Sequence, residues 1–174
     1  MFEKLMSFQD SLFWRGIKFV QNILLSVCSL AAVFAIFLTV VMRYIFSSDL
    51  YGMEEIILVI AFWLYFVGGS RGSLEDTHIK ADLVDVFVKN TRVMYLIKGF
   101  AKLVETVVYL LFSKWAISLF FLNLSRMPKT PGLKIPYVVS QFPIALGFVL
   151  MCFFAGYYCL LFFSKSATYT LKEN

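Results

Sequence analysis

Two adjacent carboxylates, Glu54 and Glu55, stand just ahead of an apolar run, with Arg43 before them and His78 beyond its far end. A carboxylate pair in such a place can hold an ion, or it can be neutralised by a nearby arginine. Arg43 is joined to the pair by a short connection, and an ion pair there would offset the cost of burying both charges. The structural role is the expectation. His78 is the only histidine, which excludes a multi-histidine metal centre, and beside Asp76 it reads as a satisfied surface residue. There is no Ser/His or Asp/Asp arrangement within an apolar run, no metal-ligand cluster and no phosphate-cradling glycine loop. An enzyme is therefore not expected.

The elements that position these residues follow from composition. Hydrophobic residues make up 60% of the 174 and charged residues 16%, with a mean hydropathy of +0.80. A soluble domain carries more charge and less apolar surface, so the chain reads as an integral membrane protein. Lipid offers no hydrogen-bond partners, so spanning segments must be helices or a closed barrel, and the long continuous apolar runs select helices. Cys28, Cys152 and Cys159 all lie inside such runs and read as small packing residues. The net charge of +5 suits loops lying on anionic lipid. No basic cluster interleaves with aromatic residues, so nucleic-acid binding is not expected.

Taken in order, residues 1–20 read as an interfacial amphipathic helix, with Leu5, Phe8, Leu12 and Phe19 on one side and Trp14 at headgroup depth. The first span is 21–43, too long for a signal-peptide core and followed by no small-residue cleavage site. Ser47-Ser48-Asp49 then offer a turn and N-caps for a second span, 50–72. The uncharged stretch between Glu55 and Arg71 covers only about 22 Å as a helix, against the roughly 30 Å of a hydrocarbon core. The helix must therefore take Glu54 and Glu55 into its first turns, where its dipole favours them. Residues 76–90 form an amphipathic arm with Asp82, Asp85 and Lys89 on one stripe. The third span, 93–125, contains Glu105 and Lys114 on opposite faces. Glu105 reads as a local pair with Lys102, while Lys114 lies deeper, where it would snorkel or meet a partner chain. A breaker-rich loop, 126–140, leads to a fourth span, 141–164, and a short polar tail, 165–174.

The architecture expected is all-α in a single membrane domain: four spans, an N-terminal interfacial helix, and a surface arm between spans two and three. Four spans put both termini on one side. That side collects Lys4, Arg15, Lys18, Arg71, Lys80, Lys89, Arg92, Lys98, Lys102, Lys165 and Lys172; the other holds Arg43, Arg126, Lys129 and Lys134. The positive-inside rule then makes both termini cytoplasmic. Arg126, Lys129 and Lys134 are outside cations, suited to headgroups or to an acidic partner. Glu54, Ala61, Gly68 and Gly72 recur at intervals of seven, seven and four, and Gly68 to Gly72 would let two helix backbones approach closely. No inverted repeat or paired broken helix marks a self-sufficient transporter. A small subunit of a larger assembly fits better.

One further set of residues narrows this. Arg43-Tyr44-Ile45-Phe46 closes the first span, Glu54-Glu55 opens the second, and Trp63, Phe66 and Gly68-Gly69 lie within it. Arg71 and then His78-Ile79-Lys80-Ala81-Asp82-Leu83 follow, and Lys134-Ile135-Pro136-Tyr137 precedes Phe142-Pro143-Ile144-Ala145-Leu146-Gly147. In order and spacing the chain resembles, over essentially its whole length, the small membrane subunit (DctQ-like, or Q subunit) of tripartite ATP-independent periplasmic (TRAP) transporters. The resemblance implies a scaffold in the bacterial inner membrane that joins a large membrane subunit and a soluble periplasmic binding protein. Together these take up an organic acid, such as a C4-dicarboxylate or a sialic acid, and the large subunit carries the substrate and sodium sites. No cofactor is implied for this chain. In that setting Arg43, Glu54, Glu55, Ala61, Trp63, Gly68, Arg71, Gly72 and His78 are candidates for helix packing and large-subunit contact. Arg126, Lys129 and Lys134 are candidates for docking the binding protein. The other readings are the small subunit of a tripartite tricarboxylate transporter and a membrane assembly factor with no part in transport.

Overall fold

A computed structural model of the chain describes residues 12–76 and 91–173. Four helices account for nearly all of them: α1 (Leu12–Tyr44), α2 (Met53–Leu74), α3 (Thr91–Arg126) and α4 (Val138–Glu173). Each is long and apolar enough to cross a membrane, and no strand occurs among the described residues, where Lys129 and Pro136 form only an isolated bridge. The all-helical, four-span expectation holds.

The boundaries differ in instructive ways. Residues 1–11 of the expected interfacial helix lie outside the described residues, and Leu12 to Val20 run without a break into the first span. At the other end α4 continues through the polar tail to Glu173. Charge marks where a helix leaves lipid, and the backbone hydrogen bonds carry on into water. The expected amphipathic arm falls almost wholly on residues 77–90, outside the described residues. Glu54 and Glu55 do sit in the first turn of α2, as the span-length argument requires. The N-cap, however, is Gly52 with φ 80° rather than any of Ser47, Ser48 or Asp49, and no side chain caps the helix. A Cβ at Gly52 would lie 2.4 Å from Leu133 Cγ, so both the left-handed backbone and the space above it call for glycine.

The extensive contacts run in the order α1–α2–α4–α3, which makes α4 the central helix. Half of its most apolar stretch is buried (50%), against 11% for α2 and α3 and 6% for α1. Between α2 and α4 the backbones come close at Gly147, where a Cβ would be 2.9 Å from both the Cβ and the carbonyl oxygen of Phe66, and Gly69 makes room for the end of the Met151 side chain. Phe66 also meets Phe148 (ring centroids 5.4 Å), and Phe148 stacks on Phe112 of α3 at 5.3 Å. The best-buried cluster gathers Trp14 of α1, Leu74 of α2 and Phe154, Tyr157 and Leu161 of α4 at one end of the bundle. Trp14 lies edge-on to Phe154 at 5.2 Å. It is therefore a core residue here, where the sequence alone suggests a headgroup anchor.

Pro143 interrupts the α4 ladder near its start. It has no N–H, so the Val139 carbonyl one turn earlier loses its helical donor. The Trp63 indole Nε1–H of α2 donates to that carbonyl at 3.2 Å. Its ring sits 5.8 Å from Phe142. A proline that would leave an orphan acceptor in lipid thus becomes a tie between α2 and α4.

Replacing Gly147 by alanine should force Phe66 and α2 away from α4 and destabilise the purified protein by about 1–3 kcal/mol, the usual cost of overpacking. Gly16 has nothing within 4 Å of a built Cβ, so Gly16→Ala is the control. Thermal unfolding in detergent should show a lower midpoint for the first variant and none for the second.

Candidate functional site

The loops that join α1 to α2 and α3 to α4 meet at one end of the bundle, and Glu55 joins them. Its Oε2 accepts from the Thr130 hydroxyl at 2.5 Å and from the Leu133 amide at 2.8 Å, and its Oε1 accepts from the Gly132 amide at 2.7 Å. Thr130 Oγ1 in turn accepts the Ile135 amide at 3.0 Å. The loop is cross-braced by backbone bonds from Thr130 to Ile135 and from Tyr137 to Pro128. Met127 and Lys134 adopt positive φ of 45° and 58°, which folds the loop tightly. A Cβ on Gly132 would come within 2.9 Å of Glu55 Oε1, so the carboxylate reaches the backbone only because residue 132 has none. With all three donors taken, Glu55 is a structural latch and not an open cation site.

At the opposite end a second charged group forms. Lys102 of α3 is buried, with Nζ 2.7 Å from Asp76 Oδ1 and 2.8 Å from Glu105 Oε2. The pair with Glu105 is the local one expected. Asp76, with φ 55°, is an addition that ties the end of α2 to α3. Nearby, the Tyr158 hydroxyl donates to the Leu74 carbonyl at 2.9 Å. Arg71 pairs with Glu75 and donates to the Lys18 carbonyl at 3.3 Å, so α1 is held at the same level. Deeper between α1 and α2, Gln21 donates to Ser70 Oγ at 2.9 Å. Among the described residues no group of three or more His, Cys, Asp or Glu is arranged to hold a metal ion.

An open groove of about 390 Å³ runs between α1, α2 and α4, lined almost entirely by apolar side chains such as Phe13, Ile17, Val20, Leu24, Val67, Leu146 and Leu150. Such walls could not desolvate and hold an organic anion.

Residues 32–162 match the sequence profile of the family described as tripartite ATP-independent periplasmic transporters, DctQ component. The chain belongs to the DctQ family. No curated protein matches the chain. It is therefore a component of a transporter and not an enzyme, and its four span-forming helices make it a multi-pass protein of the inner membrane.

For this DctQ chain the structure sorts the candidate residues into separate places. Arg43 does not meet the Glu54-Glu55 pair: it is exposed, 3.8 Å from Asp49. The expected ion pair gives way because the loop offers Glu55 three aligned donors, and an exposed arginine competes poorly with them. Glu54 and Ala61 are exposed, and Trp63 is half-buried on α4. Gly68 lies against Leu25 of α1, where a Cβ would be in ordinary contact at 3.6 Å. The close approach of two backbones that the structure describes falls at Gly147, while Gly69 makes room for the end of the Met151 side chain. Arg126, Lys129 and Lys134 are exposed around the latched loop. His78 lies outside the described residues. Sequence reasoning missed Thr130, Gly132 and Asp76; the Thr-Pro-Gly run at 130–132 was the available signal for a turn whose amides need an outside acceptor.

Glu55→Ala would strip the Thr130 hydroxyl and two loop amides of their acceptor. Amide exchange at Gly132 and Leu133 should then speed up by about tenfold or more, and Glu55→Gln, which keeps one carbonyl oxygen, should fall between. Unchanged exchange in Glu55→Ala would show that the loop holds its shape without the latch.

Proposed function

We propose that the chain is the static scaffold subunit of a TRAP transporter, paired with a large membrane subunit and served by a soluble periplasmic binding protein. The uptake it supports is sodium-coupled, and the cargo is an organic acid of the C4-dicarboxylate or sialic acid class. The observation that carries this reading is where the polar groups go. Gln21, Ser70, Trp63, Lys102, Asp76, Asn123 and Gln141 each tie one helix or loop to another, and the described groove is apolar. A subunit built this way holds helices in place and leaves substrate and sodium to its partner.

In this reading the latched loop faces the periplasm and both termini face the cytoplasm. The contacts of Glu55 with the 130–133 turn put the 45–52 and 126–137 connections at one end, and the smaller share of the basic residues lies there. Glu54 and Ala61, exposed on α2, are offered as contacts for the large subunit. Arg126, Lys129 and Lys134 form an outward-facing basic rim on a loop that Glu55 holds rigid. That rim suits an acidic patch on the binding protein, where charge complementarity sets encounter rate and orientation.

Reversing Lys129 and Lys134 to glutamate should reduce binding-protein-dependent uptake into proteoliposomes by about tenfold at low salt, with less effect at high salt. Co-purification with the large subunit should stay unchanged. Equal uptake by the wild type and the double variant would remove the docking role.

A further inference from the structure

Lys114 has no partner among the described residues, although its position in α3 demands one. Between Glu105 and Arg126 it is the sole charge in an otherwise uncharged stretch of about 20 residues, the length that spans a hydrocarbon core of about 30 Å. Along the helix axis it stands about 13 Å from Glu105 and about 18 Å from Arg126. A stretched lysine side chain covers less than half of either distance, so snorkelling cannot bring the ammonium to the headgroups. The side chain is exposed, and among the described residues no ion pair or hydrogen bond holds it. This differs from Lys102 on the same helix, which is buried between two carboxylates.

The face that carries Lys114 is equally informative. α3 packs on α4 through Gly99, Thr106, Phe112 and Asn123, with Ser113 and Ala116 buried in the same seam. At 100° per residue Lys114 is turned a little over a third of a turn away from the middle of that seam. It shares this flank with Leu103, Val107, Leu110 and Phe121, all exposed. Apolar residues there would be content in lipid and identify no partner. A lysine at mid-membrane depth is not content in lipid, and its charge states what must cover it.

We infer that this flank of α3 seats a membrane-spanning segment of the large subunit that presents a carboxylate to Lys114 near the middle of the bilayer. The inference rests on the scaffold reading above. The lysine fixes the depth and rotation at which the two helices dock, because only one register buries both charges together. The apolar neighbours supply the packing surface on either side.

The test co-expresses the chain with its large subunit, with a photoreactive residue in place of Leu110 or Phe121, or of Leu30 on the far helix α1. Labelling of the large subunit from 110 and 121 supports the inference; labelling of lipid or of a second copy from those positions overturns it. Lys114→Met should lower the yield of co-purified large subunit by about tenfold or more, while Lys114→Arg keeps most of it. Removing the charge favours membrane insertion, so a loss in Lys114→Met cannot be laid to misfolding. An unaltered yield in Lys114→Met overturns the inference. Where the wild type co-purifies and labels only from position 30, the interface assignment alone fails. Where the wild type neither co-purifies nor labels the large subunit from any position, the scaffold reading fails with it.

Discussion

The amides of Gly132 and Leu133 point out of their turn and end on a carboxylate that enters from another helix. Much of the loop end of the molecule depends on that meeting. The turn fixes where Tyr137 reaches back to Pro128 and so where α4 can begin, at Val138. The same turn presses Leu133 over Gly52 and so sets where α2 begins. Glu55 can do this because it lies in the first turn of α2, where the helix dipole already favours a negative charge. A carboxylate that would be costly within a span thus becomes the strongest acceptor available to a loop whose own backbone cannot satisfy it.

The rest of the molecule applies the same rule at greater depth. In lipid an unsatisfied polar group finds no water, so each one tends to be met by another helix. Gln21 with Ser70 joins α1 to α2, Trp63 with Val139 joins α2 to α4, and Asn123 with Gln141 joins α3 to α4. These ties are spread from one end of the bundle to the other. A transport site would gather such groups around one cavity and leave their bonding capacity open to a ligand. Here much of the capacity goes into ties between helices, with the Gln21 Oε1 and Ser113 Oγ atoms left over at separate places, which suits a body that must stay still while a partner moves.

What could be read from the sequence was the number and order of the spans, because hydropathy and span length act on every residue of a run. The demand that Glu54 and Glu55 enter the membrane edge was legible for the same reason. The partner of Glu55 was not. Arg43 is near in sequence, whereas Thr130 lies in a loop that only tertiary folding brings to it. Nor could pattern choose between neighbouring glycines. Gly68 and Gly69 are one residue apart and face about 100° apart, and it is Gly69 that Met151 crowds while Gly68 has room. The helix ends were also hidden, since Lys18 and Lys165 mark the water boundary while the backbone runs on.

Exposure carries a different meaning on this surface than on a soluble protein. Val27, Leu30, Phe34 and Phe37 of α1 are exposed, yet lipid tails cover them as well as another helix would. Apolar area therefore cannot tell a lipid-facing flank from an interface. Charge can, because its cost in hydrocarbon depends on what stands opposite. Three of the five cations of α3 make the contrast: Lys102 is buried between carboxylates, Arg126 stands exposed at the helix end, and Lys114 lies between them with no partner among the described residues. The first two are settled within this chain. The third makes sense only as half of a pair, and the missing half has to come from a second membrane protein.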